Sequence, residues 1–181
     1  MDQRKKEVLA IIGSTRKNSS NEAIVNFIAG LYPNEVQIEI YNQLAELPHF
    51  NPDLDNENAP DIINDFRKKI KNSDGVIICT PEYVFSLPGA LKNGIEWTVS
   101  TTVFSEKPMA LITAAASGEK AHESLTLIMK TLYAKFDRGA TLLIKGVKGK
   151  VNNDGSIKNE DLVQELKYLM KSFIENIKSV A

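Results

Sequence analysis

Glu7-Val8-Leu9-Ala10-Ile11-Ile12-Gly13-Ser14-Thr15-Arg16-Lys17-Asn18-Ser19-Ser20-Asn21 decides the fold. Glu7 to Ile12 reads as a strand built on the apolar run Val8 to Ile12, and Ile24, Phe27, Ile28 and Leu31 follow at helical spacing from about Asn21. A strand therefore passes into a helix through a loop of hydroxyls and cations, and Pro33 and Asn34 stop that helix. The alternation of strand-length runs and helix-period segments continues to the end of the chain, which is the pattern of a parallel sheet covered on both faces by helices. Val36 to Tyr41 alternates Val36, Ile38 and Ile40 with polar residues and reads as an edge strand. Gly75 to Thr80 and Met109 to Thr113 read as central strands, and Ala140 to Ile144 as a fifth. Ile62, Ile63, Phe66 and Ile70 mark one helix. Others are expected from Pro88 to about Val99, from about Lys120 to Phe136, and from about Glu160 onward, where Leu162, Leu166, Leu169, Phe173 and Ile177 form one core stripe. Five β-α units account for residues 1–181 as a single domain, and Asn42 to Pro60 is a long connection of the kind that often carries function.

Composition bounds the partners. A net charge of -1 with no long run of one sign excludes a general field for nucleic acid or an acidic membrane surface. Val8 to Ile12 is far too short to span a bilayer, and a single cysteine, Cys79, forms no intrachain disulfide, so the expected compartment is the cytoplasm. Cys79 ends a buried strand and is expected to pack as a small hydrophobe. His49 and His122 stand on different segments without a ligand at metal-binding spacing, so no metal site is expected and both read as surface residues.

In an open α/β sheet, ligands bind beyond the carboxyl ends of the strands where strand order reverses. Three loops lie there. In Gly13 to Asn21, the hydroxyls of Ser14 and Ser19, the fork of Arg16 and the amides of a helix N-terminus all suit a phosphate. Ser19 with Glu22 is also a capping box, which accounts for the serine without a ligand but not for Arg16. A Walker loop and a dinucleotide fingerprint both fail, since only Gly13 is present. The second loop, Thr80 to Gly89, is stiffened by Pro81 and Pro88 and carries Tyr83 and Phe85, a frame that suits the edge of a planar heterocycle. Taken one by one, its aromatics read equally as packing residues. The third, Ala114-Ala115-Ala116-Ser117-Gly118, lets a ligand approach the backbone, or simply turns tightly.

Gly13-Ser14-x-Arg16-x-x-Ser19-x-Asn21, Pro81-Glu82-Tyr83 and Pro88-Gly89-x-Leu91-Lys92-Asn93-Gly94-Ile95-Glu96-Trp97 together resemble the NADPH-dependent FMN reductases, a family of quinone, chromate and azo reductases, along the whole chain. The resemblance implies a flavodoxin-like three-layer sandwich with strand order 2-1-3-4-5. It implies that Ser14, Arg16, Ser19, Ser20 and Asn21 hold the FMN phosphate, and that Pro81, Glu82, Tyr83 and Val84, with Ser117 and Gly118, line the flavin ring, mostly through backbone. NADPH or NADH would donate hydride to FMN in a ping-pong cycle and a small-molecule acceptor such as a quinone, azo compound, free flavin or metal ion would take the electrons, with no catalytic side chain. Two departures bear on acceptor choice: many members carry asparagine where Val84 stands, and a glycine pair a few residues after Gly118, where this chain reads Glu119-Lys120-Ala121-His122. A flavodoxin-like carrier waiting for a partner reductase is the rival, disfavoured because flavodoxins are strongly acidic. A phosphate-binding regulatory domain would leave the second loop unexplained. The resemblance also implies a homodimer or homotetramer, with Gly94 and Trp97 either at the contact or packed on the sheet.

Overall fold

The computed structural model describes residues 4–180. Strands β1 (Lys6–Ile12), β2 (Val36–Tyr41), β3 (Gly75–Thr80), β4 (Met109–Ala115) and β5 (Thr141–Lys145) form one parallel sheet in the order β2-β1-β3-β4-β5. Five α-helices cover it: α1 (Ser20–Ala29), α2 (Asp61–Asn72), α3 (Gly89–Glu96), α4 (Glu119–Thr131) and α5 (Glu160–Val180). Because strand side chains alternate, β1 sends Val8, Ala10 and Ile12 into the layer beneath α1 and α5, and Leu9 and Ile11 into the layer beneath α2, α3 and α4. β3 and β4 are buried along their whole length, as continuous apolar runs between two helical layers require. The expected architecture, strand order and edge position of β2 are all borne out.

Two helices stop earlier than their periodicity predicts. The α3 helix ends at Glu96, and the chain continues to Val99 by tighter bonds, Thr98 N to Ile95 O (2.9 Å) and Val99 N to Glu96 O (3.0 Å). Pro88 caps this helix from outside its first turn. The α4 helix ends at Thr131, because Tyr133 turns left-handed (φ 58°) and Lys135 instead exchanges bonds with Lys107 and Met109 at the foot of β4. The connection from Asn42 to Pro60 is ordered by α2 and α3. Trp97 Nε1 and Asn93 Nδ2 both donate to Pro48 O (2.8 and 2.9 Å), and Arg67 donates to Trp97 O (2.7 Å) while pairing with Asp55. Trp97 is fully buried, and a side chain on Gly94 would strike Leu44, so both pack within the chain.

Candidate cofactor site

Strand order reverses between β1 and β3, and the loop after β1 opens there. Gly13 begins it because nothing larger fits: a Cβ at Gly13 would lie 2.7 Å from Thr80 Cβ on the neighbouring strand. Ser14 Oγ then accepts from Arg16 N (3.3 Å), folding the loop back toward α1. Ser19 is the N-cap, its Oγ accepting from Glu22 N at 3.1 Å. A hydroxyl that accepts a capping bond still has its own proton to donate, so capping and phosphate binding are compatible in this one residue. With Glu22 N held by Ser19 Oγ and Ala23 N by Ser19 O, the amides of Ser20 and Asn21 are the helix donors left for a ligand.

Asn21 has a different side-chain role from the expected one. It is buried, donates from Nδ2 to Ala114 O (3.2 Å) and accepts at Oδ1 from Cys79 Sγ (3.3 Å), which bolts the start of α1 to β3 and β4. Its backbone amide, unbonded within the helix, is the group it keeps for a ligand.

These residues and the loops after β3, β4 and β5 enclose a cavity of about 460 Å³, within the usual size of small-ligand sites. Ser14, Arg16, Ser19, Ser20 and Asn21 line one end, and Pro81, Glu82, Tyr83 and Ala114 to Ala116 the rest. Gly146 to Gly149 close it from the β5 side, adding Lys148 opposite Arg16. Lys148 lies more than a hundred residues from the phosphate loop, and nothing in the local sequence linked the two. No carboxylate among the described residues lies within ion-pair distance of Arg16 or Lys148, so both cations are available to an anion. A cationic pair beside serine hydroxyls and free helix amides, joined to a slot with small-residue walls, fits a flavin phosphate and its ring.

Glu82 turns its carboxylate away from the cavity toward α4. It accepts from Gly118 N (3.1 Å) and Ala121 N (3.0 Å), and so caps the helix from another loop. Gly118 takes φ +95°, a conformation that costs glycine little. Lys145 pairs with Glu119 at 2.5 Å and, with Ser117, holds the Glu119 carboxyl down to about 2. Three of the expected residues do not line the cavity: Ser117 and Gly118 sit in the turn beside Ala116, and Val84 stands at the tip of a hairpin. That hairpin is a two-residue turn in which Tyr83 N and Ser86 N donate to each other's carbonyls, both at 3.0 Å. Val84 (φ 51°) and Phe85 (φ 55°) occupy its left-handed positions and are 94% and 77% exposed.

His122 is not the surface residue expected. It is half-buried with Nδ1 3.0 Å from Thr113 Oγ1, and burial lowers its pKa. His49 is exposed.

Residues 7–147 match the family of NADPH-dependent FMN reductases. The chain belongs to that family. FMN is thus its cofactor and a reduced nicotinamide nucleotide its electron donor, as the motifs implied. Within reach of this family, the chain is 28% identical over 172 residues to the NADH:(hydroxy)cinnamate reductase subunit CrdA of Vibrio ruber, covering 92% of this chain and 84% of that one. It is 31% identical over 142 residues to an NADH-dependent flavin reductase subunit of Lactobacillus johnsonii, covering 76% and 74%. In three dimensions it superposes on FerB, a flavoenzyme NAD(P)H:(acceptor) oxidoreductase of Paracoccus denitrificans, with a TM-score of 0.77 over 96% of this chain and 98% of that one, at 24% identity. That likeness is one of fold.

Proposed function

We propose that this FMN reductase works by a two-stage exchange at one site, in which NAD(P)H and then a small planar acceptor occupy the same slot beside the flavin ring. The observation that carries the reading is the cavity itself: its phosphate end is lined by Ser19, Ser20, Arg16 and Lys148, and its walls include the Pro81 to Tyr83, Ala114 to Ala116 and Gly146 to Gly149 segments. Bound FMN would accept hydride from the nicotinamide and return the electrons to the acceptor. The chain's own tasks are to hold the phosphate, to orient the ring against backbone that is stiffened by Pro81 and tied to α4 through Glu82, and to leave one ring face open. No side chain in the cavity is placed for proton transfer, and none is needed. Quinones and free flavins, which the relatives' names include, are acceptors of the right shape.

We place the working form as a homodimer. An apolar groove of about 310 Å³ lies between α3 and α4, lined by Phe50, Ile95, Val99, Leu127, Ile128 and Leu132. Val99 and Leu127 are both more than 60% exposed, as expected for a surface that a second copy covers.

The experiment is a visible spectrum of the protein loaded with FMN, followed by anaerobic addition of NADPH or NADH. Bleaching by either nucleotide alone, and recovery of colour on adding a quinone, is expected. Stoichiometric FMN that neither nucleotide reduces would replace this reading with that of an electron carrier.

A further inference from the structure

Beyond Arg16 and Lys148 the cofactor cavity does not end at solvent. It continues into a second groove of about 430 Å³ that shares Arg16, Ser19, Ser20 and Lys148 with the first. One wall is the outer side of α1 at Glu22, Ala23 and Asn26. The other is a hairpin closed by the bridge between Val151 and Ile157.

That hairpin is built to hold its shape. Asn152 N donates to Ser156 O (2.8 Å), Gly155 N to Asn152 O (3.0 Å), and Asp154 Oδ1 accepts from both the amide and the hydroxyl of Ser156 (2.9 and 2.7 Å). Gly155 takes φ +84° and packs toward Ala23, setting the spacing of the walls. The two faces carry side-chain amides at Asn18, Asn26, Asn152 and Asn153, and carboxylates at Glu22 and at Asp154, the latter turned onto Ser156.

A monophosphate seated at the start of α1 fills the junction and leaves this groove empty. Arg16 and Lys148, neither paired with a carboxylate among the described residues, suit a pyrophosphate at that junction better than a single phosphate. Past the junction, asparagine amides match the donor-acceptor edge of a purine, and a carboxylate matches ribose hydroxyls. The groove has no aromatic ring and little apolar wall, which disfavours a second isoalloxazine or an apolar acceptor. We infer that the groove receives the adenylate half of a dinucleotide whose phosphates lie between Arg16 and Lys148, an inference that rests on the flavin-phosphate reading of the first cavity.

The dinucleotide that brings an adenylate here while keeping a flavin phosphate at the junction is flavin adenine dinucleotide bound in place of FMN; a nicotinamide donor meeting FMN-loaded protein finds that junction already filled. Asn26→Trp and, on the opposite wall, Asn153→Trp fill the groove from exposed positions, away from the flavin cavity. The test measures quenching of FMN and flavin adenine dinucleotide fluorescence on the parent protein and both variants. It also measures KM for NADH and for reduced nicotinamide mononucleotide, which lacks the adenylate, on the FMN-loaded forms. If the flavin dinucleotide is the occupant, the parent binds it within about tenfold of FMN, and the tryptophans weaken it about tenfold or more with FMN unchanged. A rise of about tenfold in KM for NADH but not for the mononucleotide, with flavin dinucleotide binding unchanged by the tryptophans, would give the groove to the donor and overturn the inference. Parent protein that binds FMN, discriminates against the flavin dinucleotide by more than about a hundredfold and shows no change in NADH KM in either variant overturns the groove alone. Failure of the parent to bind FMN at all overturns both this inference and the reading of the first cavity.

Discussion

Arg16 is the residue on which the phosphate reading turns, because Ser14 and Ser19 also serve the loop's own hydrogen bonds while Arg16 has no carboxylate partner among the described residues. A hydrogen bond to a charged group contributes about 1.5–3 kcal/mol, so Arg16→Ala should weaken FMN binding about ten- to a hundredfold. Riboflavin keeps the ring and lacks the phosphate, and its affinity should change little. Equal losses for the two flavins would assign Arg16 to the loop or the ring. The contribution of this residue was legible in the sequence because its neighbours in the chain are its neighbours in the site. Lys148 was not, since only the return of β5 beside β4 brings it across from Arg16. Asn21 shows the opposite limit: its type and position suited a phosphate, yet burial against Ala114 O and Cys79 claimed its side chain. A buried amide left unpaired costs more than a surface one gains, so the interior takes precedence.

Among the elements, the turn from Tyr83 to Ser86 is where local preference and observed backbone disagree. Both central positions need positive φ, which asparagine and glycine adopt readily and a β-branched residue does not. Val84 packs on almost nothing, so the strain is not repaid by burial. Val84→Asn should therefore stabilise the fold by about 0.5–1 kcal/mol, seen as a rise of about 1–4 °C in Tm. A fall in Tm would mean that the valine side chain makes a contact worth more than the strain. Strand order, the edge position of β2 and the run of α5 were all readable from periodicity, because burial on one or two faces imposes it. Helix ends were less so. The α4 helix gives way at Tyr133 to a backbone pairing with β4, which is a tertiary preference that no local pattern announces. The clamp from Glu82 to α4 was equally silent, since the capping carboxylate comes from a different loop.

For the molecule as a whole, the groove between α3 and α4 sets the expectation for assembly. A second copy related by a two-fold axis would bring Leu127 and Val99 of each chain against the other, and the Lys92 and Glu96 pair at the groove edge could re-pair across it. Sedimentation at micromolar concentration should give a dimer, and Leu127→Glu should shift it to monomer while leaving bound FMN in place. A monomeric parent would remove the proposal. Quinones are electrophiles as well as oxidants, and they add to thiolates. The chain's single thiol is sealed beneath the start of α1, hydrogen-bonded to Asn21 and pushed up in pKa by burial. Were quinones its acceptors, as proposed above, they would meet no exposed thiol to alkylate for as long as the sheet and α1 stay joined.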